Sequence, residues 1–216
     1  MKIFVIGAHG QVAQHLADIV AEDETLEEIA MIRNPEQVPF FEERGIETVL
    51  IDLAEVREKE LAEAMKGADA IVFSAGAGSG STTDQTVKID LDGAIKSMTA
   101  AELAGVKRYV MVSTFRTGRE EMQKESLRSY TIAKNYADEW LKNRTNLDWT
   151  IIHPGILTDE VGTSLIETGM DMDIREIPRQ DVARVVRVAL AKANTVQKEF
   201  EILGGDTPVE DAVAGV

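Results

Sequence analysis

A doubly wound α/β architecture, one domain with a mostly parallel sheet of about seven strands, follows from three features of the sequence. Four consecutive apolar residues, Ile3-Phe4-Val5-Ile6, break at Gly7-Ala8-His9-Gly10-Gln11-Val12-Ala13 and give way to a helical stripe. Further short apolar runs recur between helix-like segments, as expected of parallel strands buried on both faces. The 216 residues and 44% hydrophobic content suit a single core spanning 1–216.

In chain order, Ile3 to Ile6 is the first strand. Val12, Leu16, Ile19 and Val20 then fall at i, i+4, i+7 and i+8, one apolar face of a helix. The two glycines therefore occupy a strand-to-helix turn. Gly7 allows the turn, Gly10 removes a side chain where backbone must approach a diphosphate, and Ala13 keeps the helix near the sheet. The first helical N–H groups, around Gln11 and Val12, face the anion, with His9 inside the turn. With a second strand at Ile29 to Arg33, the unit is a βαβ of the length that binds a dinucleotide.

Dinucleotide folds that prefer NAD place Asp or Glu at the second strand's end to bond the ribose 2′-hydroxyl; this chain has Arg33. A guanidinium there pairs with a 2′-phosphate, so NADP(H) is expected over NAD(H); the alternative is a solvated surface arginine. A short helix over Gln37 to Arg44, a third strand at Ile46 to Leu50 and a helix over Ala54 to Lys66 follow. Asp52 is also a suitable cap for that helix. Ala70 to Phe73 is the fourth strand, and Ser74 to Ser81 is small and glycine-rich, with Gly78 and Gly80 suited to a loop.

Thr82-Thr83-Asp84-Gln85 has the spacing of a capping box. It opens a long helix with Val87, Leu91, Ala94, Ile95, Met98 and Ala101 as its expected buried stripe, and Gly105 ends it. Arg108 to Val112 is the fifth strand, stopping at Ser113-Thr114. Tyr130-Thr131-Ile132-Ala133-Lys134 is Y-x-x-x-K, which on a helix puts phenol and ammonium on one face. Packing at a helix start is the other use of such a tyrosine. Trp149 to Ile152 is the sixth strand, followed by His153-Pro154-Gly155. An irregular segment from Ile156 to Ile177 is the expected substrate-side cap. A helix from Arg179 buries Val182, Val185, Val186, Ala189 and Leu190. A last strand at Phe200 to Leu203 and a short helix at Val209 to Val213 complete the chain.

Composition narrows the function. A formal charge of −15 disfavours nucleic acid and anionic membrane as partners. No run approaches the length of a membrane span, and Met1-Lys2 leads directly into the first strand, so a cytoplasmic protein without a leader is expected. With no cysteine and three scattered histidines, neither disulfides nor a metal site is expected. The outward positions beside the fifth strand, Lys88, Asp92, Lys96, Asn135, Asp138, Glu139 and Lys142, are polar. They predict a monomer, with a dimer as the alternative.

Several motifs together resemble one family. The G-x-x-G-x-x-A turn is similar to that of extended and atypical short-chain dehydrogenase/reductases. Val87 to Ala94 and Ala104 to Arg108 resemble the atypical, NAD(P)H-binding branch, which includes epimerase/dehydratase-like and NmrA-like members. Trp149 to Gly155, Arg179 to Ala183 and Phe200 to Pro208 extend the resemblance over most of the chain. The resemblance implies a Rossmann-type fold. It implies that Asp52 and Leu53 flank the adenine, that Ser74-Ala75-Gly76 lies beside the ribose and diphosphate, and that Pro154 and Gly155 lie beside the nicotinamide. It further implies Tyr130 as proton donor and Lys134 as the group that binds ribose and lowers the phenol's pKa. Ser113, with Thr114 as its deputy, would hold the substrate oxygen. His153 departs from the family's Arg-Pro-Gly and is expected to be structural.

The expected activity is an NADP(H)-dependent oxidoreductase moving hydride between nicotinamide and a small carbonyl, quinone or flavin-like molecule. A noncatalytic NADP(H)-binding sensor is the main alternative. A nucleotide-sugar epimerase or dehydratase is a third, disfavoured by the short chain after the sixth strand.

Overall fold

The computed structural model describes residues 1–78, 80–115 and 127–216; Ser79, in the glycine-rich run, lies outside them. The order begins β1 (Lys2–Ile6), α1 (Gln11–Glu22), β2 (Glu27–Ile32), α2 (Val38–Glu42), β3 (Glu47–Leu50), α3 (Glu58–Met65) and β4 (Ala70–Phe73). It continues with α4 (Thr83–Thr86), a π-helical segment (Val87–Gly93), α5 (Ala94–Ala104), β5 (Arg108–Val112), α6 (Arg128–Arg144) and β6 (Asp148–Pro154). The last part holds β7 (Ile156–Thr158), β8 (Leu165–Gly169), β9 (Glu176–Pro178), α7 (Arg179–Ala191), β10 (Lys198–Gly204), β11 (Thr207–Pro208) and α8 (Val209–Ala214).

The main sheet runs β11-β8-β10-β6-β5-β4-β1-β2-β3. β1 lies inside the sheet, with Val5 between Ala30 and Val72. Its alternate side chains feed both layers: Ile3 and Val5 pack with Leu16, Val186 and Val213, whereas Phe4 and Ile6 pack with Leu61, Met98 and Leu141. Burying each such side chain contributes about 1.5–3 kcal/mol. The continuous apolar runs form strands because helices cover both faces.

Three expectations about elements are corrected. The sheet has nine strands rather than about seven: the parallel seven are joined at one edge by β8, antiparallel to β10, and by β11. β8 buries only one of its five residues and β11 has two residues, so no period marks them. The segment Ile156 to Ile177 is not irregular throughout, since β8 lies in it and β7 pairs with β9 in a separate two-stranded sheet. The helix expected over Ala54 to Lys66 is α3 alone. The residues before it form a turn in which Asp52 Oδ1 accepts from the Ala54 N–H at 2.9 Å.

Two burial expectations fail. The capping box at Thr82 and Gln85 is present, but the next seven residues are π-helical, and the wider turn rotates the side chains out of the 3.6-residue phase. Val87 is consequently exposed and Asp90 is fully buried. Asp138, read as an outward residue of α6, is buried, while Tyr136 and Trp140 are the exposed large side chains on that helix. The polar-face argument for a monomer therefore loses one of its residues. No helix among the described residues is long and apolar enough to cross a membrane.

Candidate active site

The glycine turn is built for close approach. Gly7 has φ 77°, and a Cβ there would lie 2.6 Å from the Ala75 Cα, so only glycine lets β1 and the segment after β4 meet. The Gly10 N–H donates to the Gly7 carbonyl at 2.8 Å, and a Cβ on Gly10 would sit 3.1 Å from that same oxygen. As the cap residue of α1, Gly10 offers no side chain to the first helical N–H groups. The N–H groups of Gln11 and Val12 thus remain for an anion at the positive end of the helix. The Gln11 side chain is exposed, and that of Val12 packs in the core.

A cleft of about 240 Å³ opens from this turn along the carboxyl ends of β1, β2 and β4, where the strand order reverses. It gathers Gly7, His9, Gly10, Arg33, Asp52 and Leu53 with Ser74, Ala75 and Gly76. Sequence had not singled out Met31, Gln37, Ile51 or Ile89, which also line it. The His9 ring packs edge-on to Phe40 at 5.6 Å. Arg33 is exposed at the end of β2 and has no hydrogen-bond or ion-pair partner among the described residues. A dinucleotide fits this set: the diphosphate has a cradle closed to any Cβ and a helix N-terminus, and the guanidinium lies in the same cleft.

A second group of expected residues lies beyond the cleft. α6 carries Tyr130, half-buried, and Lys134, 2% exposed. Lys134 Nζ donates to the Val112 carbonyl at 3.0 Å and lies 5.5 Å from the Phe73 ring centroid, so the ammonium sits at the ends of β4 and β5. Burial lowers its pKa, opposed by the carboxylates of Asp90 and Asp138. Tyr130 shares a side-chain hydrogen bond with Thr114. Burial, and then the charges of Asp90 and Asp138, push its phenol up to about 12. That reverses the expected direction: Lys134 is turned to a carbonyl, and the carboxylates are the charges that act on the phenol.

Ser113 is buried, and its hydroxyl donates to Asp138 Oδ2 at 2.7 Å. Burial raises the Asp138 pKa, with His153, the Ser113 bond and Lys134 opposing. His153 is buried between β5 and β10, with Nδ1 2.8 Å from the Thr114 carbonyl and Nε2 3.4 Å from Glu199. Burial works against its charge, but Glu199, Asp138 and the Thr114 carbonyl outweigh it and raise its pKa. His153 therefore fixes the backbone of the residue that meets Tyr130. Pro154 and Gly155 do not line the cleft: Pro154 is paired in β6, and a Cβ on Gly155 would lie 2.3 Å from the Arg175 carbonyl oxygen.

Asp90 joins the two groups and was missed from sequence. Its Oδ2 accepts from the Ala77 N–H at 3.1 Å, and a Cβ on Gly76 would lie 3.2 Å from its Oδ1. It thus supports the loop after β4 while its charge acts on Lys134 and Tyr130. Its burial, set by the π-segment, leaves no trace in a 3.6-residue pattern. Asp181 plays a comparable part in the cap, accepting from the N–H groups of Thr163 and Ser164 at 2.9 Å.

A central parallel sheet, a glycine turn at its switch point and a cleft along the strand ends define a dinucleotide-binding α/β protein. The chain belongs to the NAD(P)H-binding family, whose model matches residues 7–193. A Bacillus subtilis (strain 168) protein named as an uncharacterized sugar epimerase, YhfK, is 41% identical over 99% of both chains. A solved structure from Bacillus halodurans, assigned as an NAD-dependent epimerase/dehydratase, is 38% identical with a TM-score of 0.93 and covers 100% of both chains. The oxidoreductase ylbE from Lactococcus lactis is 32% identical with a TM-score of 0.91, over 100% of this chain and 96% of that one. The resemblance to atypical short-chain dehydrogenase/reductases holds.

Proposed function

We propose that the chain is an NADP(H)-dependent oxidoreductase acting on a small carbonyl, quinone or flavin-like substrate. The observation that carries the reading is the convergence of the Tyr130 phenol, the Thr114 side chain and the buried Lys134 ammonium at the ends of β4 and β5. These groups stand beyond a cleft that has glycine at one side and a free guanidinium at the other. The nicotinamide, when bound, supplies or accepts the hydride.

The chain's own groups would do the rest. Backbone N–H groups at the start of α1 hold the diphosphate, and Arg33 pairs with the 2′-phosphate. Lys134 holds ribose from below. Thr114 orients the substrate oxygen, and Tyr130 gives that oxygen its proton as charge develops on it. With its pKa at about 12, the phenol stays protonated at neutral pH, the state a donor requires for reduction.

A second reading, a sugar epimerase, is favoured by the name of the Bacillus subtilis relative. It would use the same tyrosine and lysine. NADPH oxidation against carbonyls, quinones and flavins, beside epimerisation of nucleotide sugars and calorimetric NADPH titration, separates the possibilities. Reductase turnover supports the proposal. NADPH binding without turnover of either kind would favour a noncatalytic sensor.

A further inference from the structure

A second cleft, of about 400 Å³, lies at the amino-terminal ends of β1, β2 and β3, at the opposite end of the strands from the glycine turn. Asp23, Glu24, Glu27, Glu28 and Glu47 line it, against Lys2 and Arg44. Lys2 is paired with one of these carboxylates, and Arg44 is turned to groups outside the cleft lining. Lys2 Nζ donates to Glu47 at 3.4 Å, and Arg44 donates to Asp18 at 2.8 Å and to the Phe40 carbonyl at 2.7 Å while stacking on the Phe40 ring.

Glu28 is different in kind from the rim carboxylates. It is 4% exposed, and neither carboxyl oxygen has a hydrogen-bond partner among the described residues. The second strand, expected from Ile29, begins at Glu27. That extension puts Glu28 on the same side of β2 as Ala30 and Ile32, in a cleft shared with Val20, Leu26 and Ile46. The carboxyl end of α1 closes the cleft, and its last turn carries no basic residue. Arg187 reaches Asp23 at 2.8 Å but does not reach Glu28. A buried carboxyl without donors, beside a helix carboxyl terminus and the carboxylates of Glu24 and Glu27, lacks a cation with N–H groups, while Lys2 answers Glu47 and Arg187 answers Asp23.

We propose that this cleft binds the ammonium group of a small aliphatic amine, with Glu28 as its buried counter-ion. Its volume is that of a small molecule rather than a bare ion. Among the described residues no cluster of His, Asp and Glu could hold a metal. Val20, Leu26 and Ile46 suit the methylene chain that such an amine carries. The cleft is separate from the cofactor cleft, so this inference stands or falls independently of the oxidoreductase reading.

Binding is linked to a proton. Burial pushes the Glu28 carboxyl up to about 8, and the groups facing it are Lys2 from β1, Asp23 and Glu24 after α1, Glu27 beside it, and Arg44 and Glu47 from the α2–β3 edge. An arriving ammonium supplies the missing donors and favours the ionised carboxylate, so one proton leaves Glu28 for solvent as the ion pair forms. Affinity therefore rises about tenfold per pH unit from pH 6 to pH 8 and levels above that.

Calorimetric titration of the full chain with n-butylammonium chloride tests this. Saturable binding at pH 8 is expected, about a hundredfold weaker at pH 6, with heats in different buffers reporting release of about one proton at pH 7. Glu28→Gln, with its fold checked by thermal melting, should weaken binding at least about tenfold and abolish the pH dependence. Absence of saturable heat at pH 8, or binding that Glu28→Gln leaves unchanged, overturns the proposal.

Discussion

The Ser113 hydroxyl donates to Asp138 at 2.7 Å, so the residue that the family resemblance implies as holder of the substrate oxygen has its proton committed inside the protein. Its neighbour Thr114 bonds the Tyr130 phenol instead. Thr114→Val should lower kcat about 10²–10³-fold, as loss of a donor to developing charge does. Ser113→Ala should act mainly on stability, costing about 1–3 kcal/mol by leaving a buried acceptor unpaired. Rate measurements and urea melts on both variants check this. Equal losses of rate would mean that Thr114 has no special place.

Tyr130 and Lys134 should separate by what each removal changes. Tyr130→Phe is expected to lose about 10²–10⁴-fold in kcat with NADPH affinity near that of wild type. Lys134→Ala should lose both, because its ammonium also serves ribose. Since burial, Asp90 and Asp138 raise the phenol to about 12, the reduction rate should show no loss from phenol ionisation through neutral pH. A fall in rate centred near pH 7 in wild type and absent from Tyr130→Phe would show a depressed phenol and contradict this.

Cofactor choice should rest on Arg33. With no partner among the described residues at the cleft edge, its pairing with a 2′-phosphate is expected to be worth about 1.5–3 kcal/mol, roughly tenfold to a hundredfold in NADPH over NADH. Arg33→Asp should reverse the order. Equal wild-type affinities, read by calorimetry, would show that Arg33 is only a solvated surface residue.

What sequence could show was what local pattern controls. β4 and β5 were readable to the residue because uninterrupted apolar runs need cover on both faces, and the glycine turn because Gly7 and Gly10 answer to backbone geometry. That Tyr130 and Lys134 share one helix was readable from their spacing. Asp90, Asp138 and Glu28 were not. Each is a carboxylate whose burial is decided by other elements: a π-helical shift for Asp90, the β5 end and His153 for Asp138, and the α1 terminus for Glu28. A charged residue in a sequence is read as solvent-facing, and only tertiary contacts reverse that. β8 and β11 escaped because β8 buries only Ile166 and β11 has two residues, too little apolar pattern to mark either.

Glu28 and Glu199 should give the pH–stability curve two limbs of opposite origin. Glu199 is held down at about 2, first by its bond to His153 and further by Lys142, with burial opposing. Its folded pKa lies below the ordinary glutamate value of 4.5, so its contribution is full above that value and is lost as pH falls toward 2. Glu28 runs the other way. The unfolded chain ionises it near 4.5 while the folded protein keeps the proton to about 8, so the unfolded state binds fewer protons across that window and stability falls as pH rises. At about 1.4 kcal/mol per unit, the loss by pH 7 is about 3 kcal/mol. Glu28→Gln keeps the shape and removes the ionisation. It should therefore stabilise the protein at pH 8, change little at pH 4.5, and lessen the slope between them, the rest of which comes from Asp90, Asp138 and His153, whose pKa values are also raised. Glu199→Gln should instead lower stability at neutral pH and shrink the acid limb, to which Asp23, held down by Thr25 and Arg187, also contributes. Urea midpoints across pH 3 to 9 for the three proteins, taken without added amine, read both limbs. A wild-type curve that is flat from pH 5 to 8, unchanged by Glu28→Gln, would mean that the Glu28 carboxyl finds a partner or water in solution.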